Sequence, residues 1–134
     1  MGYPSPIQPD KQTCDKDFDA AVTMCIENYQ QMAIFCASHN EQSAKNASTL
    51  MKLLNIPANH PHIYFSQLFG MSDHITFNLA NGGYNTAKYL PFGPVKDVMP
   101  YLIRRAQENT SISGQMSREL KLITAERDRR KGKR

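Results

Sequence analysis

Residues 62–90, HIYFSQLFGMSDHITFNLANGGYNTAKYL, contain the pattern that decides the fold. His62–Ser66 and Thr86–Leu90 are short apolar runs with the length of a β-strand. Between them, Met71–Asn81 has the apolar spacing of a helix, and Gly82-Gly83 follows where a helix C-cap favours glycine. A strand, a helix and a second strand at this interval predict a parallel β/α unit.

The same alternation continues on both sides of this segment. Each further element is predicted from apolar residues spaced three and four apart or from a short apolar run. In chain order these are a helix from about Asp15 to Tyr29, a strand at Met32–Cys36, a loop at Ser38–Ser43, a helix at Ala44–Leu54, a helix at Val95–Asn109 and a last helix from about Gln115.

Three parallel strands alone would make a narrow sheet with two exposed edges. Nearly continuous apolar strands are typical of strands covered on both faces within a larger parallel sheet. We therefore expect an α/β chain that is part of a larger fold. The expected organisation is an irregular proline-rich lead-in over residues 1–14, a β/α region over residues 15–112 and a C-terminal helix with a basic tail over residues 113–134.

The composition excludes several classes of protein. Of the 134 residues, 40% are hydrophobic and 21% charged, which excludes an acidic disordered chain and a collagen-like one. No apolar run is long enough to cross a bilayer, and the first residues lack the pattern of a signal peptide. Cys14, Cys25 and Cys36 include no CxxC pair. We therefore expect a soluble protein of a reducing compartment, without a disulfide framework.

The positive charge is concentrated at the C-terminus. The formal net charge is +4, and residues 127–134 carry six basic side chains and one acidic one, or +5, which leaves the other 126 residues at −1 (4 − 5). Such a tail is typical of a solvated helix end. The alternative is a non-enzymatic binding protein whose tail contacts nucleic acid or an anionic membrane. The tail has no aromatic residue for base stacking, which weakens the nucleic-acid version.

Four polar clusters lie at or beyond the C-terminal ends of the predicted strands, where β/α proteins bind their ligands. They are Ser38-His39-Asn40, Gln67–Met71, Tyr89–Pro94 and Arg104–Asn109. The adjacent arginines suit a carboxylate, because each guanidinium offers two parallel N–H donors. Glu108 stands three and four positions beyond them, where it could hold the pair in place. A phosphate would fit the arginines nearly as well.

A metal site is a weaker hypothesis. His60 and His62 would lie on the same side of a strand entrance, but Pro61 separates them and no carboxylate is adjacent. The other two histidines, His39 and His74, fall in different segments. We therefore expect no metal ligands.

Several of these segments resemble the C-terminal part of proline dehydrogenase, a flavoprotein that oxidises L-proline to 1-pyrroline-5-carboxylate. The resemblance rests on Gln67–His74, Gly83–Pro94 and Tyr101–Asn109, and Ser38-His39-Asn40 is similar to the family's flavin segment. Tyr3–Lys11 is similar to the stretch that follows the fifth barrel strand in relatives. The resemblance spans nearly the whole chain. It implies a partial (β/α)8 TIM barrel in which the three predicted strands are strands six to eight.

The resemblance also implies two groups of site residues. One group holds L-proline: Arg104, Arg105, Tyr89 and Leu68, with Tyr89 also the catalytic residue. The other group contacts FAD, which accepts the hydride: Ser38, His39, Asn40 and Glu108. In the family the electrons then pass to a membrane quinone.

A (β/α)8 barrel takes about 250 residues, and relatives complete five strands before the point that matches the start of this chain. We therefore expect a fragment that needs an N-terminal barrel half as its partner and that neither holds FAD firmly nor oxidises proline alone. The resemblance implies a cytoplasmic location, or a mitochondrial one in a eukaryote, with weak peripheral contact at the inner membrane. It implies no nucleic-acid partner.

Overall fold

The computed structural model describes residues 7–111, 120–121, 124–125 and 127–131. Its helices and strands are, in chain order, α1 Lys11–Glu27, β1 Ile34–Ala37, α2 Glu41–Leu53, β2 Ile63–Leu68, α3 Asp73–Asn81, β3 Thr86–Tyr89 and α4 Val95–Ser111. Met1–Tyr89 form one compact unit and Leu90–Arg134 form another. Within the described ranges, no helix combines the length and the apolarity that a bilayer crossing needs.

The strands of the first unit form a three-stranded parallel sheet in the order β1-β2-β3. Ile34 is the register partner of Ile63, and Phe65 is the register partner of Thr86. The helices α2 and α3 connect successive strands, as parallel pairing requires a crossover between them. The predicted α/β class with a parallel sheet is confirmed.

Side-chain caps set the starts of the first two helices. Asp10 Oδ1 accepts a hydrogen bond from the Thr13 N–H at 2.7 Å, and this bond holds the pKa of the Asp10 carboxyl below its usual range. The helix therefore begins at Lys11 and not near Asp15, so the predicted irregular lead-in over residues 1–14 extends too far. Asn40 caps α2 in the same way, and residues 41–43, predicted as loop, are its first turn.

The strand boundaries are also shifted from the predicted ones. Met32 was predicted to open β1, but its N–H donates to Asn28 O at 3.0 Å in a turn that follows α1. β1 therefore starts at Ile34. β2 is predicted over His62–Ser66, but the strand runs from Ile63 to Leu68. It continues two residues further than predicted, although Gln67 interrupts the apolar run. Apolarity alone does not mark these ends, because backbone hydrogen bonding decides them.

The predicted glycine cap of α3 is confirmed. Gly83 has φ +80°, and its N–H donates to Ala80 O at 3.0 Å while the Tyr84 N–H donates to Leu79 O at 3.1 Å. These two bonds satisfy carbonyls that would otherwise end the helix without partners. The left-handed backbone at this position explains why a glycine stands there.

One face of the sheet packs on the helices. Strand residues alternate between the two faces, and Cys36, Ile63 and Phe65 point toward α1, α2 and α3. The Phe65 ring meets the Tyr84 ring edge to face, with 5.5 Å between centroids. The buried apolar core consists of Val22, Ile26, Cys36, Ala44, Ala47, Met51, Ile56, Ile63, Phe65, Ile75 and Tyr84.

The opposite face of the sheet carries Phe35, Tyr64, Leu68 and Tyr89, and we call it the aromatic face. Phe35 stacks on Tyr64 with 4.9 Å between ring centroids. Phe35 is 62% exposed and Tyr89 53% exposed. These two side chains are therefore not covered within the described residues, and the larger sheet to which the strands are expected to belong stays a prediction. An apolar run in the sequence indicates that both faces of the strand are apolar, but it does not indicate what covers each face.

In the second unit, α4 begins at Val95, as predicted, directly after Pro94. Pro94 O accepts hydrogen bonds from the N–H groups of Asp97 and Val98 at 2.9 and 3.1 Å. The helix continues to Ser111, two residues beyond the predicted end. The described residues between 120 and 131 are helical, as predicted, and the predicted start of that helix at Gln115 lies outside the described residues.

Cys36 provides a test of the core through pH. All three cysteines are free thiols, and Cys36 is the buried one. Burial raises the pKa of the Cys36 thiol from the ordinary 9.0 to about 11, and the charge of Asp19 adds to the rise. The folded thiol therefore keeps its proton to higher pH than the unfolded thiol. The free energy of unfolding should fall as pH rises from 9 toward 11, by at most about 1.4 kcal/mol per pH unit.

Urea denaturation at pH 8, 9 and 10 measures this slope. The Cys36→Ala variant is the control, because it removes the thiol. It should be less stable than the unmodified chain at pH 8, since buried atoms are lost, and it should lose this part of the decline above pH 9. An undiminished decline in Cys36→Ala would show that the thiol is not its source.

Candidate active site

The carboxyl ends of the three strands lie at one edge of the sheet, as parallel pairing requires. Ser38, which follows β1, donates its N–H to Ser66 O at 3.2 Å, and Phe69, which follows β2, donates its N–H to Tyr89 O at 2.9 Å. Leu68 and Tyr89 are register partners. The structure thus brings together three of the four predicted clusters, those that follow β1 and β2 and the one that begins at Tyr89.

Leu68 and Tyr89 share more than this edge. Both belong to the aromatic face, since they alternate with the core-facing residues of β2 and with Lys88 of β3. Tyr89 is exposed and Leu68 is half-buried. An apolar side chain and a phenol that lie side by side can contact a small ring and offer it one hydroxyl. Their predicted roles in holding L-proline stay predictions.

His39 joins two loops at this edge. Its Nδ1 lies 2.8 Å from Ser72 Oγ, and the Leu68 N–H points at its Nε2 from 3.5 Å. Because Nε2 faces a donor, the tautomer that fits carries its hydrogen on Nδ1 and donates it to the serine hydroxyl. The imidazole is thereby fixed between the segment after β1 and the segment after β2. Its predicted contact with FAD stays a prediction.

Ser38 and Asn40 first serve the local backbone. Ser38 Oγ accepts the Asn40 N–H at 3.0 Å, and Asn40 Oδ1 accepts the N–H groups of Gln42 and Ser43 at 3.0 and 3.4 Å. The predicted flavin segment therefore leads directly into α2, with Asn40 as the N-cap. These bonds hold the Ser38 and Asn40 side chains in place, and their predicted contacts with FAD stay predictions.

Sequence reasoning missed a polar pair behind the edge. Gln67 and Thr76 are both buried, and the Thr76 hydroxyl donates to Gln67 Oε1 at 2.7 Å. Gln67 Nε2 in turn donates to Ser38 O at 3.3 Å. The signal was present in the sequence, because a glutamine that interrupts an apolar strand on its core-facing side needs a buried partner.

Lys88 was missed in the same way. It is the register partner of Gln67, and its Nζ donates to Met71 O at 2.6 Å and lies 2.7 Å from Asp73 Oδ1. The lysine thus ties β3 to the loop that follows β2. A lysine among the apolar residues of a strand is the sequence signal that could have indicated this contact.

The arginine pair belongs to α4 in the second unit. Arg105 is half-buried, with its Cζ 5.4 Å from the centroid of the Tyr101 ring, and Arg104 is exposed. The ring stands one helical turn before Arg105 and holds its guanidinium by a cation–π contact. Glu108 lies in the same helix, and its side chain is outside the described residues. The predicted roles of these three residues stay predictions.

His60 and His62 lie at the opposite edge of the sheet, before β2. The His62 Nδ1–H donates to Tyr29 O at 2.7 Å, and the His62 N–H donates to His60 Nδ1 at 3.2 Å. The His62 ring therefore joins two loops, and the His60 ring accepts a hydrogen bond within its own loop. In the part of the chain that the structure describes, no three His, Cys, Asp or Glu side chains come together as a metal site would need.

The amino-acid sequence matches a known family over most of its length. The family profile described as Proline dehydrogenase matches residues 1–118. The chain is 36% identical over 140 residues to proline dehydrogenase 1, mitochondrial, of Drosophila melanogaster, and 39% identical over 134 residues to the human protein of that name. It is also 39% identical over 133 residues to the hydroxyproline dehydrogenase of Xenopus laevis. The chain belongs to the proline dehydrogenase family.

A solved structure is similar in fold. The crystal structure of proline utilization A (PutA) from Bdellovibrio bacteriovorus, inactivated by N-propargylglycine, superposes with a TM-score of 0.73 at 30% sequence identity. The match covers 81% of this chain and 11% of that one. The matches to the Drosophila, human and Xenopus proteins cover 96% to 97% of this chain, but only 21%, 22% and 28% of those proteins.

Ser72 offers a test of the geometry at the edge. It is buried, with φ +50° and ψ +40°, a left-handed conformation that disfavours any residue with a Cβ. Both Ser72→Ala and Ser72→Gly lose the hydroxyl that meets His39, but only glycine is relieved of the strain. We expect the glycine variant to be more stable than the alanine variant by about 1 kcal/mol, measured by urea denaturation.

The matched control is the same pair of substitutions at Lys45, an exposed position inside α2. There the order should reverse, with alanine more stable than glycine by roughly 1 kcal/mol, because glycine is a poor helix former. If alanine were also the better residue at position 72, the left-handed geometry described for this edge would be incorrect.

Proposed function

We propose that the chain supplies the C-terminal part of the catalytic barrel of an FAD-dependent proline dehydrogenase. In this role it takes part in the oxidation of L-proline to 1-pyrroline-5-carboxylate, with electrons passing through FAD to a quinone. The observation that carries the proposal is the shared carboxyl edge of the sheet, where His39, Leu68 and Tyr89 meet. Membership of the proline dehydrogenase family gives this edge its proposed chemistry.

In the proposed barrel, β1, β2 and β3 are strands six, seven and eight. Three features of the first unit support this placement: the strands are parallel, they are adjacent in chain order, and their helices pack on one side. The aromatic face would then line the barrel interior, which explains why Phe35 and Tyr89 are exposed in this chain. An N-terminal barrel half, covering the part of the relatives that this chain does not match, is the proposed partner.

The substrate residues have separate tasks in this proposal. Arg104 and Arg105 bind the carboxylate of L-proline, because a guanidinium can donate two parallel hydrogen bonds to it. Tyr89 and Leu68 lie against the ring, with the Tyr89 hydroxyl near the polar end of the substrate. The Tyr101 ring supports Arg105 by the cation–π contact, which limits the orientations of the guanidinium.

The residues at the edge also suit a flavin. A flavin needs a flat apolar surface beside polar groups for its ribityl and phosphate parts, and the aromatic face borders Ser38 and His39. Asn40 and Glu108 complete the proposed cofactor contacts. FAD, when bound, supplies the acceptor for the hydride that leaves the proline ring. This chain's own residues then hold the substrate's carboxylate and ring in one orientation.

The test is a chimera. The matching segment of the Drosophila relative is replaced by this chain, and the product is assayed for the flavin absorption spectrum and for proline-dependent dye reduction. The chimera should show both, whereas the chain alone should show neither. In the chimera, Arg105→Ala should raise KM for L-proline by about 10- to 100-fold, because a charge-assisted pair is lost.

Lys96→Ala is the matched control, since it removes an exposed cation from the same helix. It should leave KM close to that of the unmodified chimera. A chimera that holds flavin but has no activity with proline would refute L-proline as the substrate. Equal effects of Arg105→Ala and Lys96→Ala on KM would refute the proposal that Arg105 binds the substrate's carboxylate. Hydroxyproline is tested beside L-proline, because the chain is as similar to the Xenopus hydroxyproline dehydrogenase as to the human proline dehydrogenase.

A second proposal concerns where the chain acts and what its basic tail contacts. The Drosophila and human relatives are named as mitochondrial, and we propose that the chain acts there, in weak peripheral contact with the inner membrane. Residues 127–131 are helical, and Arg127, Arg129, Arg130 and Lys131 are exposed. Each such cation near an anionic surface contributes about 1 kcal/mol of attraction.

Sedimentation with lipid vesicles tests this contact. Binding to vesicles with an anionic lipid should exceed binding to neutral vesicles, should weaken steeply as salt is raised, and should be lost on truncation after Ala125. Binding that persists after truncation would refute the role of the tail. Tight, salt-dependent binding of duplex DNA instead of vesicles would favour the nucleic-acid alternative.

A further inference from the structure

We propose that Lys88 is a positioning residue that fixes the β2–α3 loop (residues 69–72) behind the side chains that face the substrate. The inference rests on the proposed function for its effect on substrate binding. Its structural part stands on contacts within the first unit alone. Lys88 has no direct contact with the proposed substrate in this scheme and acts through the loop.

The lysine makes one contact with the loop and one with the first residue of α3. Its Nζ donates to the Met71 carbonyl at 2.6 Å and forms an ion pair with Asp73 Oδ1 at 2.7 Å. The Lys88 side chain is 21% exposed and the Asp73 side chain 46%, so the ammonium group is partly shielded from water while the carboxylate remains largely solvated. One ammonium group thereby joins the end of β3 to the loop and to the first residue of α3.

The direction of the lysine separates it from the site. Lys88 and its register partner Gln67 lie on the helix side of the sheet, whereas Leu68 and Tyr89 lie on the aromatic face. The loop nevertheless begins immediately after Leu68, and the Phe69 N–H donates to Tyr89 O at 2.9 Å. Any movement of the loop is therefore transmitted to the two side chains proposed to hold the proline ring.

The first half of the loop has little packing to fix its shape. Gly70 has φ +75°, and a Cβ placed there would meet no atom within 4 Å. Phe69 is 66% exposed, and Ser72 adopts the left-handed conformation described above. Met71 is half-buried and Ser72 is buried, so packing holds the end of the loop but not Phe69 and Gly70. Polar contacts on both sides add to this packing: His39 on the side of β1 and Lys88 on the side of β3.

The electrostatic setting supports a specific role for the lysine. A cation beside the first turn of a helix is disfavoured by the helix dipole. Asp73, which opens α3, offsets this unfavourable term with its carboxylate. Both groups that hold the lysine at this position belong to the loop or to the first residue of the helix after it.

Hydrogen exchange on the intact chain tests the structural part. The Met71 amide donates to Leu68 O at 3.1 Å and reports on the turn within the loop. In Lys88→Met, which keeps the apolar stem and removes the ammonium, this amide should exchange at least about tenfold faster. Asp73→Asn, which leaves the carbonyl contact, should have a smaller effect. Lys45→Met, at an exposed position in α2, should have none.

Kinetics of the chimera test the effect on substrate binding. Lys88→Met should raise KM for L-proline about three- to tenfold and change kcat less than twofold, because the substrate is held less well before and during the reaction alike. Lys88→Arg should restore part of the affinity, and Lys45→Met should match the unmodified chimera. A uniformly destabilised protein would instead lose active enzyme without a change in KM.

The experiments distinguish failure of the positioning role of Lys88 from failure of the proposed function. Unchanged exchange of the Met71 amide in Lys88→Met would overturn the inference whatever the chimera does. Faster exchange with unchanged KM in an active chimera would overturn the positioning role. A chimera inactive with every substrate refutes the proposed function, and the exchange result then decides the structural part by itself.

Discussion

Parallel pairing of the three strands in one register is the constraint on which the rest of the structure depends. It directs Cys36, Ile63 and Phe65 into the core with the helices and turns the alternate residues to the aromatic face. It also brings the three carboxyl ends to one edge. A slip of one residue in β2 would exchange the two faces, because side chains alternate along a strand. The core and the site are therefore fixed together.

The two faces of the sheet carry different kinds of side chain at that edge. On the helix side, polar pairs such as Gln67 with Thr76 and Lys88 with Asp73 connect strand ends to the loops and helices that follow. On the aromatic side, exposed rings and a half-buried leucine remain available for contact. Side chains that would be costly to bury alone are paired on the first side. That arrangement leaves apolar and phenolic groups on the second side.

The aromatic face is exposed in a chain that matches only part of its relatives' length. The chain matches 21% to 29% of the curated relatives' length, and a face that lines the interior of a closed barrel has neighbours from strands on the other side. Within the described residues of the first unit, α1, α2 and α3 supply neighbours for one face of the sheet. In the proposed barrel, the exposed Phe35 and Tyr89 would lie in the interior.

Much of this could be predicted from local pattern. Apolar runs and spacing located the three strands, the helices between them and the glycine that ends α3, because each depends on residues close in the chain. The clusters after the strands were located by the same reasoning, since parallel strands must share an edge.

The starts of α1 and α2 were missed, because a cap such as Asp10 or Asn40 acts through a side-chain bond that apolar spacing does not register. The partners of His39, Gln67 and Lys88 come from other elements, 33, 9 and 17 positions away along the chain. A polar residue inside an apolar strand indicates that some partner is needed, but which residue becomes that partner is decided only once the strands are in register.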